Sequence, residues 1–219
     1  MDFDKKIDNL IDEIESERDW RAKEFQIIKD MYFSIREDKK ERFYSTYSMM
    51  CIPMIYAHWE GFCATLFRHI TNFLNGLNLK PDQVTIKLFT FAQSKTYDYL
   101  KGKHSFEQKC KFSTKFMDLQ KKNVKLNKKF DTKSNLKFDP LSDMLDLFDI
   151  EHSSLQKYKA KLDRLVEIRN NIAHGENSII VDDEMLYFYS GFIIELIDEI
   201  IVKFDLFLRN KQFLNSTKA

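Results

Sequence analysis

Arg169 and His174 stand five residues apart in Glu167-Ile168-Arg169-Asn170-Asn171-Ile172-Ala173-His174-Gly175, and no other pair in the chain is as well suited to chemistry. An arginine grips a phosphate through a planar fork of donors, and a histidine titrates in the range where a general acid or base works. Together they are what a phosphodiester-cutting site without a metal would need. The spacing alone carries little weight. With eight Arg and five His among 219 residues, chance supplies it in roughly one such chain in five.

Position on the helix carries more. From Ser153 to His174, the residues Leu155, Tyr158, Leu162, Leu165, Val166, Ile172 and Ala173 recur at helical spacing and predict one apolar stripe. Arg169 falls near the middle of that stripe. A guanidinium turned toward a core needs an acid, a bound phosphate or an opening. His174 lies about 140° around from it and about 7.5 Å along the axis, at the negative end of the helix dipole. Asn170 is on the histidine's side, and Gly175 follows where a left-handed cap would end the helix.

The elements that must position this pair are helical. Five Gly and three Pro leave few turn signals, and 43% hydrophobic content in 219 residues supports one core, read here as a single domain over 1–219. Phe3 to Glu37 predicts one long amphipathic helix with a possible interruption near Arg18. Arg42 to Asn75 predicts a second, with a kink or break at Pro53. A third is expected from Asp82 to Leu100, a short one from Asp139 to Phe148, and a last one from Asp182 to about Arg209. That last face is so broadly apolar that a small monomer would struggle to bury it.

Net charge is +1, but its distribution is uneven. Lys101 to Lys137 holds twelve lysines against Glu107, Asp118 and Asp131, a local balance able to make a phosphate-binding face. Its apolar residues are irregularly spaced, which predicts short helices, turns or a hairpin outside the core. Phe106, Phe112, Phe116 and Phe130 either stack on bases or anchor the segment; the lysines either meet RNA or form a solvated surface. Cys51, Cys63 and Cys110 show no paired spacing, so reduced thiols in a cytoplasmic, soluble protein are expected. No phosphate loop, nucleophile triad or metal-ligand pattern occurs, and no cofactor or metal is expected. Neither a leader nor a membrane span is expected.

An all-helical chain carrying Arg169-Asn170-Asn171-Ile172-Ala173-His174 near its last helical pair resembles the HEPN superfamily (higher eukaryotes and prokaryotes nucleotide-binding). The signature there is an arginine, four to six residues and a histidine, with a polar residue after the arginine, a place Asn170 fills. Tyr56-Ala57-His58-Trp59-Glu60-Gly61-Phe62 is similar to a segment of stand-alone prokaryotic HEPN nucleases linked to defence and toxin–antitoxin systems. The basic stretch at about 101–138 has no counterpart in the resemblance and reads as an insertion.

The resemblance implies a bundle of long antiparallel helices that pairs into a homodimer, bringing two Arg/His motifs to one cleft. It implies metal-independent endoribonuclease activity in which the RNA 2′-hydroxyl attacks the adjacent phosphorus. His174 is then acid or base, Arg169 holds the phosphate, Asn170 orients one of them, and Glu60 positions Arg169. An antitoxin or defence-system partner follows from the same likeness. A non-catalytic module that binds RNA, nucleotide or protein is the alternative. In that case Arg169 joins an acid to lock two helices, His174 merely caps, and Glu60 is a counter-ion. Trp59 reads as core and His58 as a packing residue.

Overall fold

Two rows of side chains seven residues apart run down the first helix: Ile7, Ile14, Arg21 and Ile28, and beside them Ile11, Arg18, Phe25 and Tyr32. In the computed structural model, which describes residues 3–37, 41–101, 105–128, 135–176 and 179–215, they form the core-facing stripe of α1 (Phe3–Glu37), buried at every position except half-buried Arg18. No interruption occurs at Arg18. The two arginines occupy core-facing positions and keep the stripe intact because each has partners. Arg18 pairs in a fork with Asp198 at 2.8 and 3.0 Å. Buried Arg21 donates to the Glu17 carboxylate at 2.5 Å and to the carbonyls of Glu17 and His58, and its guanidinium lies 4.4 Å from the Trp20 ring centre.

The second helix, α2 (Glu41–Gly76), runs antiparallel to α1, as Phe3 against Phe73 and Tyr32 against Tyr44 show. Of the kink or break expected at Pro53, no break occurs; Pro53 sits where the helix lines an open cleft. Cys51, Ile55, Trp59, Phe62, Leu66 and Ile70 point inward along it. The motif helix, α7 (Lys159–Ala173), packs on α2, and α8 (Asp183–Arg209) returns against α1, α2 and the helical turn at Ser153–Tyr158 that leads into α7. Asp182 starts α8 by accepting the Met185 amide. Each fully buried Leu, Ile or Phe in this four-helix core contributes about 1.5–3 kcal/mol.

The third expected helix, Asp82 to Leu100, is instead several short pieces. A turn at Pro81–Gln83 is followed by Val84, which bridges to Leu214. Then come α3 (Ile86–Ala92), α4 (Ser94–Tyr97) and a final turn at Asp98–Leu100. The Thr85 hydroxyl accepts the Leu88 amide and starts a new helix where periodicity alone saw continuity. The basic segment meets its expectation in part: it is helical and that helix buries no residue, but the helix is longer than the short pieces expected. It contains a regular helix, α5 (Phe106–Gln120), opened by a Ser105/Gln108 capping box. Phe112 and Phe116 anchor α5 to Tyr97 and Phe89, while Phe106 is exposed. Phe130 and His104 lie outside the described residues. Beyond α5 the segment does enter the core, through Leu126 and Leu136. It leads into α6 (Phe138–Leu147), one residue before the expected start.

His58 is a packing residue, edge-on to Trp20 and Phe25 at 5.3 Å. Burial first, and then the Arg21 charge, hold its pKa below the ordinary 6.5. Burial would raise Glu17, but hydrogen bonds from Arg21 and Trp20 outweigh it and hold the carboxyl below 4.5. Both groups therefore bind protons more weakly folded than unfolded, so both contribute stability at neutral pH that is lost on acidification. The unfolding midpoint should fall below about pH 6.5 and again below about pH 4.5. His58→Phe should remove the first step, as thermal unfolding across pH would show.

A candidate active site at the end of the motif helix

The motif helix ends as its sequence dictates. His174 is the C-cap, its amide donating to the Asn170 carbonyl at 2.9 Å. Gly175 follows at φ +85°, a left-handed conformation that favours glycine. Its amide reaches the Ile172 carbonyl at 3.0 Å, and the Glu176 amide reaches Asn171 at 3.0 Å. This is the two-bond Schellman closure, made entirely by backbone. It leaves the His174 side chain exposed on the last turn.

Arg169 is half-buried, facing α2 as the stripe requires. Its guanidinium carbon lies 4.7 Å from the centre of the Tyr56 ring, a stacking that favours a cation over an aromatic face. Nη1 donates to Asn170 Oδ1 at 2.8 Å, and Asn170 Nδ2 donates to Asn135 Oδ1 at 2.8 Å. Asn170 thus orients the arginine, and its backbone holds the histidine's amide.

Tyr56 and Glu60 are four residues apart on α2 and therefore on one face. The Tyr56 hydroxyl is pushed up to about 12 chiefly by burial. The Leu136 amide and the Arg169 charge pull against that rise; the Glu60 carboxylate adds to it by charge and hydrogen bond. Tyr56 remains a neutral hydroxyl over the whole working range. Half-buried Glu60 shares this neighbourhood with Arg169. The arrangement brings Arg169, Asn170, Tyr56 and Glu60 together, with His174 one turn further along α7.

Tyr56, Asn135 and Leu136 were not among the sequence-derived candidates. Leu136 donates its amide to the Tyr56 hydroxyl at 2.9 Å and accepts Trp59 Nε1 at 3.0 Å. Tyr56 was signalled by its i, i+4 relation to Glu60. Asn135 and Leu136 carried no local signal. Tyr56→Phe leaves the buried Leu136 amide without its acceptor and should cost about 1–3 kcal/mol, measured by denaturant unfolding.

Beside the histidine is an apolar cleft of about 440 Å³, walled by Met49, Met50, Pro53 and Met54 of α2 and by Ile172 and Gly175. Among the described residues no three His, Cys, Asp or Glu side chains gather as a metal site, and no helix is long and apolar enough to cross a membrane. The remaining described histidines have other partners: His69 pairs with Glu13 at 3.1 Å, and His152 meets the Ile150 carbonyl at 3.0 Å.

An all-α bundle carrying an arginine–polar–histidine motif at the end of a core helix defines a HEPN-type protein. The RiboL-PSP-HEPN family model matches residues 16–205, running from α1 through the basic segment into α8. The chain belongs to that family, and so to the HEPN superfamily. No curated protein and no solved structure matches it.

Proposed function

We propose that this protein is an endoribonuclease that cuts RNA by attack of the 2′-hydroxyl on the neighbouring phosphorus, without a metal. The observation that carries this reading is the Arg169 guanidinium, laid on the Tyr56 ring and held at its edge by Asn170, with exposed His174 one turn further on. Such a fixed, half-buried cation is a preorganised holder for a phosphate whose charge grows in the transition state. A base takes the proton from the 2′-oxygen as its bond to phosphorus forms. The bond from phosphorus to the 5′-oxygen breaks, and an acid protonates the departing oxygen. Cyclic phosphate and a free 5′-hydroxyl result.

A base and an acid are both needed, and each chain offers one His174. We therefore propose a homodimer that closes two motifs around one cleft. Support comes from the apolar cleft beside His174 and from exposed Met50 and Phe43 on the same helix. Sedimentation should report twice the 26.3 kDa of one chain. Lysines of the basic segment, Lys109 and Lys115 among them, would meet RNA phosphates. The work of such an enzyme would be antiphage defence, or toxicity restrained by an antitoxin, in the cytoplasm.

The mechanism is tested by replacing the nucleotide 5′ to the cleavage point with its 2′-deoxy form. Cutting at that bond should stop while binding persists. Continued cutting there would exclude attack by the 2′-oxygen.

A further inference from the structure

The basic segment ends inside the site. Its end and the first residue of α6 are fastened there by buried or part-buried bonds: the Leu136 amide to the Tyr56 hydroxyl, the Leu136 carbonyl from Trp59, and the Phe138 amide to Asp163 Oδ1 at 2.9 Å. Asn135 is thereby carried on a frame made by α2 and α7, the two helices that supply Tyr56 and Arg169. From that frame its side chain reaches Asn170.

The direction of the hydrogen bonds follows from chemistry. A guanidinium only donates, so the Asn170 atom facing Arg169 must be the carbonyl oxygen. Its amide group then points the other way. Only an acceptor can meet it there, and Asn135 presents its oxygen at 2.8 Å. The order is fixed: Arg169 N–H to Asn170 oxygen, Asn170 N–H to Asn135 oxygen. Without the far acceptor, the Asn170 amide can rotate away, and the arginine loses the partner that fixes its plane over Tyr56.

We propose that Asn135 is a positioning residue of this site, holding the Asn170 amide and through it the Arg169 guanidinium in the orientation that receives the scissile phosphate. The basic segment thus supplies part of the RNA-cutting site rather than only an outlying positive surface. The proposal rests on the nuclease reading above, and its test separates the two.

Asn135→Ala, Asn170→Ala and the double variant of the full chain are compared for kcat and KM on a labelled oligoribonucleotide. The amide protons of the Asn170 side chain are followed by NMR in wild type and Asn135→Ala. Asn135 is exposed, so its loss leaves the core untouched. Asn135→Ala should lower kcat by roughly tenfold with KM little changed. The double variant should fall no further than Asn170→Ala alone, because the two residues act in series. Asn135→Asp, which retains an acceptor oxygen, should keep kcat within about threefold of wild type. Exchange of the Asn170 side-chain protons with water should quicken by about tenfold in Asn135→Ala. Losses that multiply in the double variant, or a change in KM alone, would overturn the proposal. Should the wild type cut no RNA, the nuclease reading fails by itself. Proton exchange still reads the relay, and exchange unaltered by Asn135→Ala refutes it in either case.

Discussion

His174→Ala should lower the rate of RNA cleavage by roughly 10²–10⁴-fold while leaving the protein folded. The size of the loss follows from removing the imidazole, the motif group assigned the general acid–base work. The intact fold follows from the cap. All three bonds that close α7, from His174, Gly175 and Glu176, are donated by backbone amides. The imidazole is exposed, so stability should move by no more than about 0.5 kcal/mol. A single-turnover cleavage assay and a thermal melt on the same preparation check both halves. Undiminished cleavage would show that the histidine only ends a helix and takes no part in the reaction.

Arg169→Ala should cost roughly 10²–10³ in kcat, the usual price of losing one preorganised charge at the phosphate. Arg169→Lys is the sharper variant. Lysine keeps the positive charge but not the planar fork, so it can neither lie flat on Tyr56 nor hold Asn170 at the same edge. It should remain at least about tenfold below wild type. Because Arg169 is half-buried with its guanidinium on the Tyr56 ring, Arg169→Ala should also lower stability by about 1 kcal/mol through lost stacking. Full activity in Arg169→Lys would mean that bulk positive charge, and not the oriented guanidinium, is what the reaction uses.

Most of the bundle was legible because helices advertise their buried faces. The stripes of α1, α2, α7 and α8 and the glycine that closes α7 all follow from local spacing. Arg18 was a false alarm for a related reason. Periodicity sees a charge in a core position but cannot see Asp198, 180 residues away, that neutralises it. Helix starts were harder where the stop is made by tertiary contact. Val84 bridges to Leu214, and that contact delays until Ile86 a helix whose apolar rhythm reads as starting at Asp82.

The site was legible in its motif and not in its frame. Arg169, Asn170 and His174 share six residues of sequence, and Glu60 came with the second-helix segment. Leu136 lies 80 residues from Tyr56 and 77 from Trp59, in a lysine-rich stretch with no periodicity to mark a buried leucine. Irregular spacing suggested a segment lying outside the core. In fact two stretches without regular secondary structure each bury a single residue, Leu126 and Leu136, without any repeating pattern.

The central claim is that this site cuts RNA through the 2′-hydroxyl with no metal, and the chemistry of the product ends reads it directly. Wild-type protein is incubated with a defined RNA in EDTA, and the fragments are analysed by mass spectrometry. The account predicts fragments ending in 2′,3′-cyclic phosphate with 5′-hydroxyl partners, formed by wild type and not by His174→Ala. Fragments with 5′-phosphate and 3′-hydroxyl ends, or cutting that begins only when Mg²⁺ is restored, would contradict it.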